Sequence, residues 1–221
     1  MVSPIVFDFL NDLSNNNNRE WFHAHKDYYN EAKAAYEATA LRFIAMINEV
    51  DGDVGFMELR DCTYRIYRDT RFSLDKTPYK NHMGIYVVRG GKKSPMAGYY
   101  LHFENNNCFA HGGIYMPQPK VLNAVREHIF HRIDDFKAII ETPEFKSTFG
   151  SIEGDKLKTV PKGFDKNFAD IDLLRFKSYS LTYSFPNNEV LADGFDQRLK
   201  SVYAKMTPFV KFLNDVIIDL V

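Results

Sequence analysis

Apolar positions recur at helical spacing towards both ends of the chain and at strand spacing in between. Ile5, Phe9 and Leu13 fall on one face behind Pro4, which predicts a helix over residues 4–13. Residues 15–18 are a polar break. Asn17-Asn18-Arg19-Glu20 then has the spacing of a capping box, with Glu20 reaching back to the Asn17 backbone. One long helix is expected from there to Val50, with Trp21, His25, Tyr28, Ala32, Tyr36, Ala40, Phe43 and Ile47 as its core stripe. Asp51-Gly52-Asp53 ends it. Later, Pro117-Gln118-Pro119 opens a helix to about residue 132 with Val121, Leu122, Val125 and Ile129 inward. Further helices are expected over 134–141 and 143–149, a helical turn over 170–175, and a last helix over 195–220 kinked at Pro208.

The middle of the chain alternates with a period of two. A strand is expected within 59–73 and another over 82–89. A hairpin over 98–104 and 108–115 turns at the asparagines 105–107, a short strand covers 156–160, and a last one covers 176–185. This order implies an α+β fold: a mostly antiparallel sheet of about five to six strands, packed with a long N-terminal helix, several central helices and a C-terminal helix. Residues 1–221 read as one domain.

Alternation also sorts the strands into faces. Met83, Ile85 and Val87 lie on one side, as do Tyr99, Leu101 and Phe103. Ile66 and Phe72 share that apolar side with Arg68. The opposite side then presents Arg65, Tyr67, Asp69, Arg71, His82, Tyr86, Tyr100, His102 and Glu104.

Composition adds little until charge is located. The 45% apolar and 26% charged shares are ordinary for a globular protein. Two cysteines form no disulfide framework and fit a reducing compartment. The N-terminus lacks a signal-peptide pattern, and no apolar run has membrane-spanning length, so a cytoplasmic protein is expected. Net charge is only −1, yet residues 60–93 hold nine Lys and Arg against three Asp. A local excess of six positive charges favours a local anion site over a global nucleic-acid binder.

The density peaks at residues 64–80, where Arg65, Arg68, Arg71, Lys76 and Lys80 mingle with Tyr64, Tyr67 and Tyr79. Guanidinium forks and phenols suit a phosphate or carboxylate. Arg65, Tyr67, Arg68, Arg71, Lys76, Lys80 and Tyr100 are therefore the candidate ligand-binding residues. His102 is the proton-transfer candidate, because Tyr100 and Glu104 flank it on the same strand face. The same residues also fit a structural ion-pair cluster. Arg68, on the apolar side, needs a carboxylate such as Glu104 or Asp69, or else a ligand. A binding module for nucleic acid or protein, using Arg89, Lys92 and Lys93 in the loop 89–93, is a further alternative. Histidine and cysteine spacings point to no metal, and the glycine and serine motifs that hold nucleotides or nucleophiles are absent, so no cofactor is expected. His111-Gly112-Gly113 suggests close backbone approach, with packing the simpler cause.

The run Arg65-Ile66-Tyr67-Arg68-Asp69-Thr70-Arg71-Phe72-Ser73, with Asp75-Lys76 and Pro78-Tyr79-Lys80, closely resembles the signature of domain-of-unknown-function family 2461, widespread and largely bacterial. Asn18-Arg19-Glu20-Trp21-Phe22, Gly98-Tyr99-Tyr100-Leu101-His102 and Val160-Pro161-Lys162-Gly163-Phe164 extend the likeness across nearly the whole chain. The resemblance implies a single-domain cytoplasmic protein and supplies no activity or catalytic residue.

Overall fold

A computed structural model describes residues 2–220. It begins with helices α1 (Pro4–Asn15), α2 (Arg19–Ala24) and α3 (Lys26–Val50). The expected single helix from residue 19 to 50 is broken at His25, whose backbone lies outside the helical region. The Trp21 carbonyl there accepts from both the backbone N–H and the ring Nδ1 of His25, and the two rings stack at 4.3 Å. The capping box is also displaced by one residue. Asn18 is the cap, accepting from the Trp21 N–H at 2.9 Å, while Asn17 serves elsewhere. Helix α3 buries Tyr29, Ala32, Tyr36, Ala40, Phe43 and Ile47, and leaves Tyr28 half-buried.

After a short helix α4 (Leu59–Cys62) come strands β1 (Met83–Val87), β2 (Gly98–Phe103) and β3 (Cys108–Ile114). Helices α5 (Pro119–His131), α6 (Ile133–Ile140), α7 (Pro143–Phe149) and α8 (Ile171–Leu174) follow. Strand β4 (Tyr179–Phe185), α9 (Asn187–Val190) and α10 (Phe195–Ile217), which runs through Pro208, complete the fold. The sheet is antiparallel in the order β1-β2-β3-β4.

Among the described residues this α+β fold has four strands, not five or six. Residues 59–73 supply α4 and only isolated bridges, Thr63 to Ile85 and Tyr67 to Tyr79; residues 156–160 supply one bridge, Lys156 to Phe176. Seven of the seventeen residues in 64–80 are charged, and only Ile66 and Tyr79 are buried there. Two backbone bonds close the loop instead: Arg68 N–H to Pro78 O at 2.9 Å and Lys80 N–H to Ile66 O at 2.8 Å. Phe72, expected beside Ile66 in the core, is 95% exposed.

The apolar sheet face, with Ile85, Val87, Tyr99, Leu101, Ala110 and Leu181 buried, packs on α3 and α10. Fully burying an aromatic or aliphatic side chain stabilises by about 1.5–3 kcal/mol. Polar tips in this layer find partners: Tyr99 donates to Asp51 at 2.7 Å, and Tyr203 donates to the Tyr100 carbonyl at 2.7 Å. Gly112 is needed where β3 meets α10, since a Cβ there would lie 2.8 Å from the Met206 sulfur. No helix among the described residues is long and apolar enough to cross a membrane.

Candidate functional site

The face of the sheet opposite the core is where chemistry collects. Tyr100, His102 and Glu104 stand at alternate positions of β2 and its end, so strand geometry alone sets them in a row. The Glu104 carboxylate accepts from the side-chain amides of Asn81 (2.6 Å) and Asn107 (2.7 Å), and lies 3.3 Å from His102 Nε2. Burial alone would raise its pKa, but the Asn107 and His102 hydrogen bonds hold it below the usual value. An ionised carboxylate only accepts, so His102 carries its proton on Nε2. Its Nδ1 then accepts from the Tyr100 hydroxyl at 2.8 Å. Burial lowers the His102 pKa against the pull of Glu104, and burial raises that of Tyr100. At neutral pH the row is therefore carboxylate, neutral imidazole and neutral phenol, with the donor directions fixed.

Packing holds the row in place. His102 lies between His82 (centroids 4.7 Å apart) and Phe109 (4.5 Å). Burial and the neighbouring His102 push the His82 pKa down to about 4. Gly84, directly across from His102 in the register, makes room for the phenol: a Cβ there would sit 2.2 Å from the Tyr100 hydroxyl.

Tyr100 opens on a cavity of about 790 Å³ between α3, α4 and the base of the 64–80 loop. Most of the charge lining it is matched in place: Lys33 pairs with Glu37 at 3.1 Å, and Arg60 with Glu58 at 2.9 Å. Arg65 and Lys80 also line it, and among the described residues neither meets a carboxylate. Burial, then the charges of Arg65 and Lys92, lower the Lys80 pKa. Tyr64 stands between Lys80 and Lys92, whose ammonium groups lie 5.4 and 5.6 Å from its ring centroid.

The structure thus brings Arg65, Lys80, Tyr100 and, behind Tyr100, His102 together, and sends the other candidates away. Arg68 is not on a sheet face. Its guanidinium bonds Asp75 and both the hydroxyl and carbonyl of Thr77, so its carboxylate partner is neither Glu104 nor Asp69. Arg71 makes a two-pronged bond to Asp69 (2.9 and 2.6 Å), and Lys76 donates to the Thr70 carbonyl at 2.9 Å. Tyr67 belongs to an aromatic cluster with Phe22 and Tyr79. The basic loop 89–93 also differs from a free cationic finger. Lys92 turns inward and donates to the carbonyls of Arg60 (2.5 Å) and Thr63 (2.7 Å).

Three residues that matter carry no site signal in the sequence, Asn17 and Asn107 reading there only as a helix cap and a hairpin turn. Asn17 replaces a strand partner for the loop base: its amide donates to the Tyr79 carbonyl at 2.9 Å and its oxygen accepts the Tyr79 N–H at 3.1 Å. Asn81 and Asn107 fix Glu104. All three are asparagines in polar stretches, where nothing but three-dimensional contact separates a clamp from a solvated turn. Among the described residues no group of three or more His, Cys, Asp or Glu is placed to hold a metal.

No curated protein and no solved structure matches the chain. The profile of the conserved hypothetical protein family DUF2461 matches residues 5–212, and the chain belongs to that family.

Proposed function

We propose that this DUF2461 protein binds a small phosphate- or carboxylate-bearing ligand in the cavity beside Tyr100 and moves a proton on it. The observation that carries the reading is the pair Arg65 and Lys80. Two cations without carboxylate partners face one cavity, and Lys80 is half-buried among like charges. A bound anion relieves that repulsion and supplies the missing hydrogen-bond acceptors. Tyr100 is the group that touches the ligand. Its oxygen takes a ligand proton as its own proton passes to His102 Nδ1, and Glu104 stabilises the imidazolium that forms. His102, with both nitrogens engaged and 7% exposed, acts through Tyr100. For Arg68 and Arg71 the ion-pair reading is favoured instead, and Lys76 spends its ammonium on a backbone carbonyl, so the donors of all three are used within the loop.

Calorimetric titration with inorganic phosphate and pyrophosphate at low salt tests the anion site. Wild type should bind, and Lys80→Met or Arg65→Gln should each weaken binding roughly ten- to hundredfold, the loss of one charge-assisted hydrogen bond. Absence of binding by folded wild type removes the reading.

A further inference from the structure

A second cavity, about 830 Å³, lies over the same sheet face on the far side of Tyr64 and Tyr100, which line both. Its character is different. Five aromatic rings (Tyr64, Tyr86, Tyr100, Phe109 and Tyr115) line it, and its lysines are Lys92, turned to backbone carbonyls, and Lys93. It is walled for a planar ring rather than for an anion.

His111 is set into its floor, directly opposite Tyr100 in the β2–β3 register. Cross-strand neighbours of this kind share one face with their Cβ atoms about 5 Å apart. A second hydrogen-bonded row determines which nitrogen of His111 is free. The Thr182 hydroxyl donates its one proton to the Glu153 carboxylate at 2.6 Å. Its oxygen can then only accept from His111 Nδ1, 3.1 Å away. His111 therefore holds its proton on Nδ1 and presents a lone pair at Nε2. The position of Glu153 is built in, since its backbone N–H bonds the Ser180 carbonyl at 2.7 Å beside β4. Nε2 has no hydrogen-bond partner among the described residues, yet it is not one of the sealed, unpaired polar atoms, so it opens to the cavity.

The two histidines thus carry opposite tautomers. His102 spends its acceptor on Tyr100, whereas the acceptor of His111 is unspent. We propose that the second cavity seats the ring of a phosphorylated ring compound, with His111 Nε2 accepting a ring N–H or O–H while the phosphate reaches Lys80 past Tyr64. This rests on the anion reading above and names the class of ligand: a planar heterocycle with a ring donor at one end and a phosphate at the other. Burial lowers the pKa of His111, which keeps the imidazole neutral and able to accept.

Uridine monophosphate, whose ring carries one N–H donor, and inorganic phosphate are the probes. Long-range ¹H–¹⁵N spectra of the free wild type should show His111 as the Nδ1–H tautomer and His102 as the Nε2–H tautomer; Nε2–H at His111 overturns the proposal. In calorimetry uridine monophosphate should bind wild type at least tenfold more tightly than phosphate. His111→Phe should erase that advantage and leave phosphate affinity unchanged, whereas Lys80→Met should weaken both. Thr182→Val, which keeps side-chain volume but frees the ring, should shrink the advantage if His111→Phe does not fold. Phosphate binding with no gain from the ring overturns the inference and leaves the anion reading standing. Failure of phosphate itself ends both.

Discussion

At the tip of the 64–80 loop Arg68 and Arg71 meet carboxylates and Lys76 a backbone carbonyl of that loop, while Arg65 and Lys80, at its base, face a cavity and meet no carboxylate. All five lie within sixteen residues of one another in sequence. What separates them is local supply. The tip carries its own anions, Asp69 and Asp75, and its own bends, with Asp75 accepting the Thr77 N–H at 2.9 Å. The base is clamped from outside by Asn17, and its aromatic Tyr79 stacks on Phe22 at 4.0 Å. A satisfied cation builds a loop, whereas an unsatisfied one held at a cavity is disposed towards a ligand.

Acid should expose the contrast most strongly. His82 at the cavity has a pKa of about 4, below the 6.5 of a free imidazole, so the unfolded chain binds more protons between those values. Stability should fall by roughly 2–3 kcal/mol as pH drops from about 6.5 to about 4, and His82→Asn should flatten the slope in urea unfolding. The tip is insensitive there. The Thr77 N–H, then Arg68, hold Asp75 at about 2, so its contribution is present above the usual carboxylate pKa and is lost only towards pH 2. Next in size, Asn17→Ala removes both hydrogen bonds to the Tyr79 backbone and should cost about 2 kcal/mol by urea unfolding. Arg68→Ala should produce a smaller drop in the unfolding midpoint while phosphate affinity stays near wild type; loss of affinity with intact stability would reverse the assignment of tip and base. Lys80→Met should leave stability unchanged or slightly raised, because it deletes a desolvated, repelled charge. Arg71→Ala, on an exposed pair, should be indistinguishable from wild type in both assays.

Most of the fold was legible because burial writes a period into the sequence. Alternation in 83–87 and 98–103 named the core face correctly, and Tyr100, His102 and Glu104 fell on one side as strand geometry requires. The loop 64–80 misled because Ile66 and Phe72 fall on one side of a two-residue pattern, yet Phe72 stays in solvent and only Ile66 and Tyr79 are buried. Period without burial is not a strand. Arg65 and Arg71 are indistinguishable as residue types six positions apart in one motif. Only the path of the chain puts Asp69 under one and a cavity under the other. His111 reads from sequence as packing, and its partners, Thr182 and Glu153, come from distant segments that carry no pattern linking them to β3.

The layering of the sheet also bears on how the chain is made. All four strands pair in sequence order, β1 to β3 through short connections, whereas β4 joins β3 only after α5–α8 have been made. The cover over β3 is α10, the last long element, seated through Met206 against Gly112. Until residues 195–217 leave the exit tunnel, the apolar side of β3, Ala110 included, lacks this cover. Synthesis therefore passes through a nascent chain whose four strands are complete but whose apolar face is bare over β3, the species on which chaperone dependence and truncation-induced aggregation would act.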